Sequence, residues 1–530
     1  MSNDHETHPE NVQRGGLWYG TLALGLLIVC MIAVHVSFLP VPYFWDETYF
    51  APAAHDVLAT GSLIPISVPV ESHPPLVYVW VALWWKLFGF SIAVARISML
   101  AVAMFTLVGV YRLARLFTTG AVPIVVTLLT AIYPVFFAES TMVQLDMAAA
   151  GLTVWALVAY LRGRRWETAV LFSLAVLAKE TAIVAPAVLA GLEIVMALRE
   201  RRESIGERIR AAWQASYPML LPLASLLCWF GWMYHKTGTP FGDTSYVQYN
   251  TEGSLRPMRM ALAGAQHLYH LLIYLNLFVL TGLAAILGVV TRPRASGESG
   301  AGRNKRGWLT LGVVVAGYVV MLSLVGGITL ARYLLPVYPL VVLGSVAAIS
   351  GRVRWWPVLA GVTAIAFVAG LFPYTNRFLF RRDDNLAYLD FVSLQQQAAK
   401  FVGDDAAADG RNVKVMAVWP GSSELAEPWL GYRQGPMEIL QVDAFGPQDL
   451  AAAKAKEPNY ILMFPRRVCK MENPLLNARW WHQGYFRGGE EVTPEEVGRE
   501  MNARVVYHAE SHCDWVAVLK VEPGSGGQER

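Results

Sequence analysis

The chain has 530 residues, of which 55% are hydrophobic and only 16% are charged, with a formal net charge of +3. Soluble domains carry about 25% charged residues, so the composition excludes an ordinary soluble protein and favours one that crosses a membrane. The small net charge gives no reason to expect a nucleic-acid partner.

Apolar segments long enough to cross a bilayer recur from Leu17 to about Phe372. The first, Leu17 to Leu39, is too long for a signal-peptide core and has no small-residue cleavage pattern after it, so we predict a retained helix. In chain order we predict eleven membrane helices, at 17–39, 92–116, 121–138, 143–161, 167–178, 182–198, 213–234, 266–290, 308–327, 333–350 and 356–373.

Two segments leave alternatives in this topology. Residues 74–89 are apolar but short, and their tryptophans suit the headgroup zone, so we predict an interfacial helix rather than a crossing. Residues 168–198 could form one long helix with Lys179 and Glu180 buried in it. The basic links RGRR and RERR on its two sides favour two short crossings, with AKET at the turn between them.

Lys and Arg concentrate in alternate links, including 112–115, 162–165, 199–210 and 291–306. The positive-inside rule places these links and the N-terminus in the cytoplasm. Eleven crossings then place residues 374–530 outside. We therefore predict a mainly α membrane domain, 1–373, followed by an extracytoplasmic α/β domain, 374–530, in a bacterial inner membrane.

The C-terminal region reads as five strands and a helix. NVKVMAVWP, EILQVDAF, NYILMFP, ARVVYHAE and WVAVLKVE have strand patterns, and DLAAAKAKE has a helical one. Its cysteines, Cys469 and Cys513, could form a disulfide in an oxidising compartment, whereas Cys30 and Cys228 lie in apolar helices.

The sparse polar residues of the membrane part collect at its outer links. These are Asp46 and Glu47 in YFWDETYF, His73 in ESHPPL, Asp146 in ESTMVQLD, Lys179 and Glu180 in AKET, and Arg332 and Tyr333 in LARYLLPVYP. Ionisable groups at membrane depth are costly and usually face a cavity. The sequence therefore predicts a cavity on the outer side that these segments share.

Each residue also has a simpler structural reading. The two adjacent acids could cap the helix that follows them, and Lys179 with Glu180 could form a structural ion pair. Arg332 and Tyr333 could be interface anchors. These five segments and a sixth, YHKTGTPFGD at 234–243, converge on one side, which is harder to explain in this way.

The motifs resemble those of protein O-mannosyltransferases and of the aminoarabinose transferases that modify lipid A. FWDETYF resembles the acidic first-loop motif, SHPPL matches a His-Pro-Pro-Leu motif, and KLFGFSIAVAR, STMVQLD, LAKET and RYLLPVYP also fit. The resemblance covers roughly residues 17–350. The lipid A enzymes usually carry Lys where His73 stands, so the chain leans toward the mannosyltransferase-like branch.

The resemblance implies a membrane glycosyltransferase of the GT-C class, which moves a hexose or pentose from a polyprenyl-phosphate-linked donor to a lipid, glycan or protein acceptor. Asp46, matching the first-loop acid, would be the general base of an inverting transfer. Glu47 would orient it, bind the acceptor or help hold a cation, and Asp146 would support it or bind a sugar hydroxyl. His73, Lys179 and Arg332 would hold the phosphate, and Glu180 and Tyr333 complete the predicted binding group.

The sequence leaves open whether the protein binds a divalent metal. The candidate ligands are His55, Glu71, His267 and His270, but none shows the close spacing typical of zinc sites. A membrane transporter or lipid flippase is the alternative function. A transporter would place its charges near the bilayer midplane in repeated halves, and the sequence shows no internal repeat.

Overall fold

A computed structural model of the chain describes residues 9–199, 204–243, 255–294, 304–325, 329–373, 381–409, 413–433, 437–465, 492–512 and 514–522. Helices make up the first part, to Gly370. They span Pro9–His35, Glu47–Thr60, Leu76–Phe88, Ile92–Ala114, Val122–Ile132, Pro134–Glu139, Leu145–Leu161, Arg165–Ala178, Val184–Arg199, Ile205–Ser216, Leu220–Thr237, Pro257–Leu272, Leu277–Val290, Lys305–Val325, Tyr338–Ser350 and Trp356–Gly370.

Six helical stretches among the described residues are long and apolar enough to cross a membrane. They are Tyr19–Phe38, Ile92–Ala114, Glu180–Arg199, Ile205–Thr237, Pro257–Val290 and Lys305–Leu324. Shorter apolar helices occupy further predicted crossings, and the predicted interfacial segment is the short helix Leu76–Phe88. The mainly helical membrane fold is thus confirmed, while the number of crossings stays a prediction.

Two breaks in the helical pattern have local causes. Tyr133 is extended, as expected for a residue before proline, and Pro134 then begins the short helix that ends at Glu139. Lys179 is also extended, so residues 165–199 form two helices rather than one long helix. The predicted break into two helices at AKET is confirmed, while the two membrane crossings stay a prediction.

The C-terminal part contains a five-stranded mixed sheet. The strands are β1 (Val413–Val418), β2 (Met437–Val442), β3 (Tyr460–Met463), β4 (Ala503–Ser511) and β5 (Asp514–Val521), in the order β2-β1-β3-β5-β4. β2, β1 and β3 run parallel, and β5 pairs antiparallel to both β3 and β4. All five predicted strands and the helix Pro447–Lys454 are confirmed.

The two faces of this sheet pack against different partners. Because neighbouring strand residues point to opposite faces, Val413 and Val415 join the large core shared with the membrane helices, whereas Met416 joins a second core. The long helix Tyr388–Asp409 and the short helices Gly421–Glu424 and Pro494–Met501 complete this part.

The sheet region is attached directly to the first loop. The backbone N–H of Tyr43 donates to the Leu430 carbonyl at 3.2 Å, and the Tyr432 hydroxyl donates to the Tyr43 carbonyl at 2.9 Å. The segment that carries Asp46 is therefore held between the helices and the sheet region. Cys469 and Cys513 lie outside the described residues, so their pairing stays untested, and Cys30 and Cys228 are free.

Candidate functional site

The two adjacent acids of the first loop point to different partners. Trp45 has a positive φ of 52°, which is uncommon for a bulky residue and persists only where the surroundings hold it. Asp46 then occupies the N-cap position of the helix Glu47–Thr60 but makes no side-chain cap hydrogen bond. Its carboxylate pairs with the guanidinium of Arg332 instead, so capping does not account for Asp46.

Glu47 is fully buried and acts as a structural acceptor. Its carboxylate accepts hydrogen bonds from the backbone N–H of Phe44 at 2.8 Å and of Val143 at 2.6 Å. It also pairs with Arg96 at 3.1 Å, and both side chains have no exposed surface. Glu47 thus ties the first loop to two other segments and does not point toward the same partner as Asp46.

Arg96 is a partner that the sequence reasoning missed. Its guanidinium donates to the carbonyls of Val41 at 2.8 Å, Pro42 at 2.6 Å and Thr141 at 3.2 Å. It therefore holds the backbone on both sides of the site. The only sequence signal was its place at the end of the KLFGFSIAVAR motif.

Arg332 lies at the centre of the cluster. It is carried by a short 3-10 turn, Ala331–Leu334, and is almost completely buried. Its two terminal nitrogens pair with Asp46 and Asp383, and its Nε lies 3.5 Å from Oδ2 of Asp146. One guanidinium is thus surrounded by three carboxylates.

Lys179 forms a second buried cation beside Arg332. Its Nζ donates to both carboxylate oxygens of Asp146, at 2.7 and 2.8 Å, and lies 3.8 Å from the centre of the Tyr333 ring. Asp146 lies in the first turn of the helix Leu145–Leu161. Asp146 consequently touches both cations, and the structure brings together five of the predicted residues: Asp46, Asp146, Lys179, Arg332 and Tyr333.

His73 lies in a carboxylate clamp. Its Nδ1 is 2.9 Å from Glu180 and its Nε2 is 3.4 Å from Glu71. Burial alone would lower the pKa of His73, but the Glu180 and Glu71 carboxylates raise it above its ordinary value. Burial raises the pKa of Glu71 to about 7, although the nearby His73 opposes this rise. Both imidazole nitrogens of His73 therefore face carboxylates.

Three further acids near Arg332 were not predicted as site residues. Asp383 and Asp384 belong to the buried turn Arg382–Asp384, and Asp384 accepts a 2.6 Å hydrogen bond from Tyr274. Burial, reinforced by the charge of Asp383, raises the pKa of Asp384 to about 7. Glu139 is fully buried, and neither of its carboxylate oxygens has a hydrogen-bond partner among the described residues. The signal for the turn was the run RRDD, just after the last apolar segment.

The candidate metal ligands are not gathered into one group. His55 packs against the rings of Phe90 and Trp429, and Glu71 faces His73. His267 and His270 are neighbours on one helix, with ring centres 6.4 Å apart. Within the described ranges, no three His, Cys, Asp or Glu residues are arranged to hold a metal ion.

The fold is that of a polytopic membrane protein of the GT-C architecture. The family model of dolichyl-phosphate-mannose-protein mannosyltransferases matches residues 72–229, which include HPPL, STMVQLD and LAKET. This match confirms the resemblance drawn from the motifs over that segment. A search of curated protein sequences found no match.

A solved structure extends the likeness of fold over nearly the whole chain. The crystal structure of ArnT from Cupriavidus metallidurans in the apo state matches with a TM-score of 0.54 and 14% identity, covering 94% of this chain and 98% of that chain. The same protein bound to undecaprenyl phosphate matches with a TM-score of 0.45 and 14% identity, over 93% and 97% of the two chains. The structure of arabinofuranosyltransferase AftD from Mycobacteria matches with a TM-score of 0.44 and 13% identity, covering 95% of this chain and 40% of that chain. At these identities, the first match supports a common fold.

Proposed function

We propose that the chain is an inverting glycosyltransferase that moves a sugar from a polyprenyl-phosphate donor to a hydroxyl of an extracytoplasmic lipid, glycan or protein acceptor. The observation that carries this proposal is the contact between Asp46 and Arg332, with the Asp146–Lys179 pair beside it. A carboxylate base and two buried cations lie side by side, and the family model matched by residues 72–229 describes enzymes that use a lipid-phosphate sugar.

The two cations suit a phosphate that gains charge as it leaves. Arg binds phosphate through a planar fork of donors, and Lys supplies a compact point charge. Such groups stabilise the negative charge that develops on the leaving group, most strongly where water is excluded. Arg332 and Lys179 are both almost fully buried, so they fit this role, with the Tyr333 ring supporting Lys179.

Asp46 is the proposed general base. Its carboxylate accepts the proton of the acceptor hydroxyl while the hydroxyl oxygen bonds to the anomeric carbon. The bond from that carbon to the phosphate oxygen breaks, and the polyprenyl phosphate leaves with the electron pair. Asp46 pairs with Arg332. A donor phosphate would compete for the same guanidinium and so release the carboxylate to act as base.

His73 and Glu180 have a supporting role in this scheme. His73 lies between Glu71 and Glu180. It therefore links the HPPL loop to the turn that contains Lys179, and its imidazole is not a free cation for the phosphate. The proposed topology is the one predicted from the sequence. The helices cross a bacterial inner membrane, the N-terminus lies in the cytoplasm, and residues 374–530 lie outside as a separate domain.

The test is transfer of radiolabelled sugar from polyprenyl-phosphate donors in membranes that contain the wild type or Asp46→Asn. Lipids, lipid-linked glycans and surface proteins are scanned as acceptors. Removing a general base should slow transfer by about 10²–10⁴-fold. Asp405→Asn is the control, because it removes the same charge from a partly exposed pair with Lys520. Wild-type rates in Asp46→Asn would exclude this base, and a wild type that moves substrate across vesicles without transferring sugar would favour a transporter.

A further inference from the structure

Each of the three residues of the turn Arg382–Asp384 contacts a different part of the protein. Arg382 binds the C-terminal sheet through Asp514, with Nε 2.9 and 3.0 Å from the two carboxylate oxygens. Asp383 pairs with Arg332, and the Asp384 carboxylate accepts a hydrogen bond from the Tyr274 hydroxyl. All three residues are buried, so the turn connects the sheet to the centre of the candidate site.

Arg382 reaches the sheet region and the first loop together. It donates to the Pro465 carbonyl at 2.7 Å, just after β3. Its guanidinium also lies 4.7 Å from the ring centre of Phe391 and 5.4 Å from that of Trp45. Trp45 directly precedes Asp46, so the same arginine packs on the side chain of the residue next to the proposed base.

We propose that Asp383 is a positioning residue for Arg332, and that the Arg382–Asp514 pair holds it in place, so that the C-terminal sheet sets the geometry of the phosphate-binding cation. The proposal rests on the proposed function for its catalytic meaning. It assigns the sheet a role in the site, in addition to any contribution to stability.

The guanidinium geometry explains why an anchor is needed. A planar guanidinium offers separate nitrogens to separate partners. One terminal nitrogen of Arg332 pairs with Asp383, and the other pairs with Asp46. When a phosphate replaces Asp46, the Asp383 contact keeps the plane of Arg332 fixed. Arg332 thus has one anchored nitrogen and one exchangeable nitrogen.

A purely structural role would leave a different signature. Arg382 and Asp514 are buried, so breaking their pair lowers stability whatever the sheet does for the site. Two measurements distinguish positioning from stability alone. One is the local order of the turn that carries Arg332, and the other is whether KM and kcat change by different factors in the protein that remains folded. Neither should change in the folded fraction if the pair serves stability alone.

The first measurement is hydrogen–deuterium exchange of residues 330–335 in the ligand-free full chain. Asp383→Asn and Asp514→Asn should each raise exchange there on the order of tenfold, because each loses a charged hydrogen bond. Asp405→Asn, in the partly exposed pair with Lys520, should leave this exchange unchanged. Arg382→Lys replaces Asp514→Asn if that variant does not fold, since it keeps the charge but loses the paired contacts.

The second measurement is transfer kinetics with the polyprenyl-phosphate donor. Asp383→Asn should raise the donor KM on the order of tenfold, with a smaller fall in kcat, and Asp383→Glu should recover part of the loss. Unchanged exchange at 330–335 in the folded variants would overturn the proposal. A wild type that transfers no sugar would instead overturn the proposed function, and the exchange result would still decide whether the sheet positions Arg332.

Discussion

Replacing Glu47 with Gln should destabilise the protein, whereas replacing its neighbour Asp46 with Asn should chiefly reduce sugar transfer. The difference comes from the surroundings of the two side chains. Glu47 is fully buried and accepts from two backbone N–H groups and from Arg96, whereas Asp46 is partly exposed beside Arg332.

The size of the effect follows from the charge that is left behind. Glu47→Gln keeps one acceptor oxygen but turns the other into an NH₂ donor, which faces donors in a buried site. Arg96 then has no carboxylate partner and cannot lose its charge. Removing one partner of a buried pair costs about 3–5 kcal/mol. The exposed pair Arg164–Glu167 should contribute only about 0–1 kcal/mol, so Glu167→Gln is the matched control.

The assay is equilibrium unfolding of the purified protein in mild detergent, with transfer activity measured on the folded fraction. A double-mutant cycle with Arg96→Met isolates the pair, because the double variant no longer buries an unpaired charge. We expect the double variant to be more stable than the sum of the single effects predicts. Native stability in Glu47→Gln, together with transfer as low as in Asp46→Asn, would refute the structural role and return Glu47 to the chemistry.

Three further outcomes can be measured on the same material. Burial raises the pKa of folded Glu71 from 4.5 to about 7, so the folded state binds more protons. Stability should therefore fall as pH rises between these values, by on the order of 3 kcal/mol, and Glu71→Gln should flatten this profile in thermal unfolding. Lys179→Met leaves Asp146 without its closest cation and should raise the donor KM about tenfold or more, whereas an unchanged KM would remove Lys179 from the phosphate site. Tyr333→Phe keeps the ring under Lys179 and should transfer sugar near the wild-type rate, whereas Tyr333→Leu should lose about 0.5–2 kcal/mol of donor binding.

The helices and strands could be predicted because their signals are local. Apolar runs and basic links located the membrane segments, and alternation located the strands that pack on two cores. The break at Lys179 was also predictable from nearby residues. Basic links lie on both sides of residues 168–198, and placing both in the cytoplasm requires a turn between them. The site residues that the motifs carry also come together, with Asp46, Asp146, Lys179 and Arg332 in contact.

The choice of partners could not be predicted in the same way. Glu47 and Arg96 are 49 positions apart, and Arg332 and Asp383 are 51 apart. No periodicity links residues across such distances, and several acids of similar chemistry compete for each cation. The sequence indicated that only one of Asp46 and Glu47 could face the site. The buried contacts of Glu47 favour Glu47 as the structural residue of the two.

The pairing pattern has a consequence for how donor binding and catalysis would be linked. Both cations have carboxylate partners: Asp46 and Asp383 on Arg332, and Asp146 on Lys179. In the proposed reaction, the donor phosphate would therefore exchange with one of these carboxylates. Of these acids, Asp46 is the most exposed, so it is the one that exchange would release. In the proposed reaction, the base is thus freed when the donor arrives, which would limit activation of an acceptor while no donor is bound.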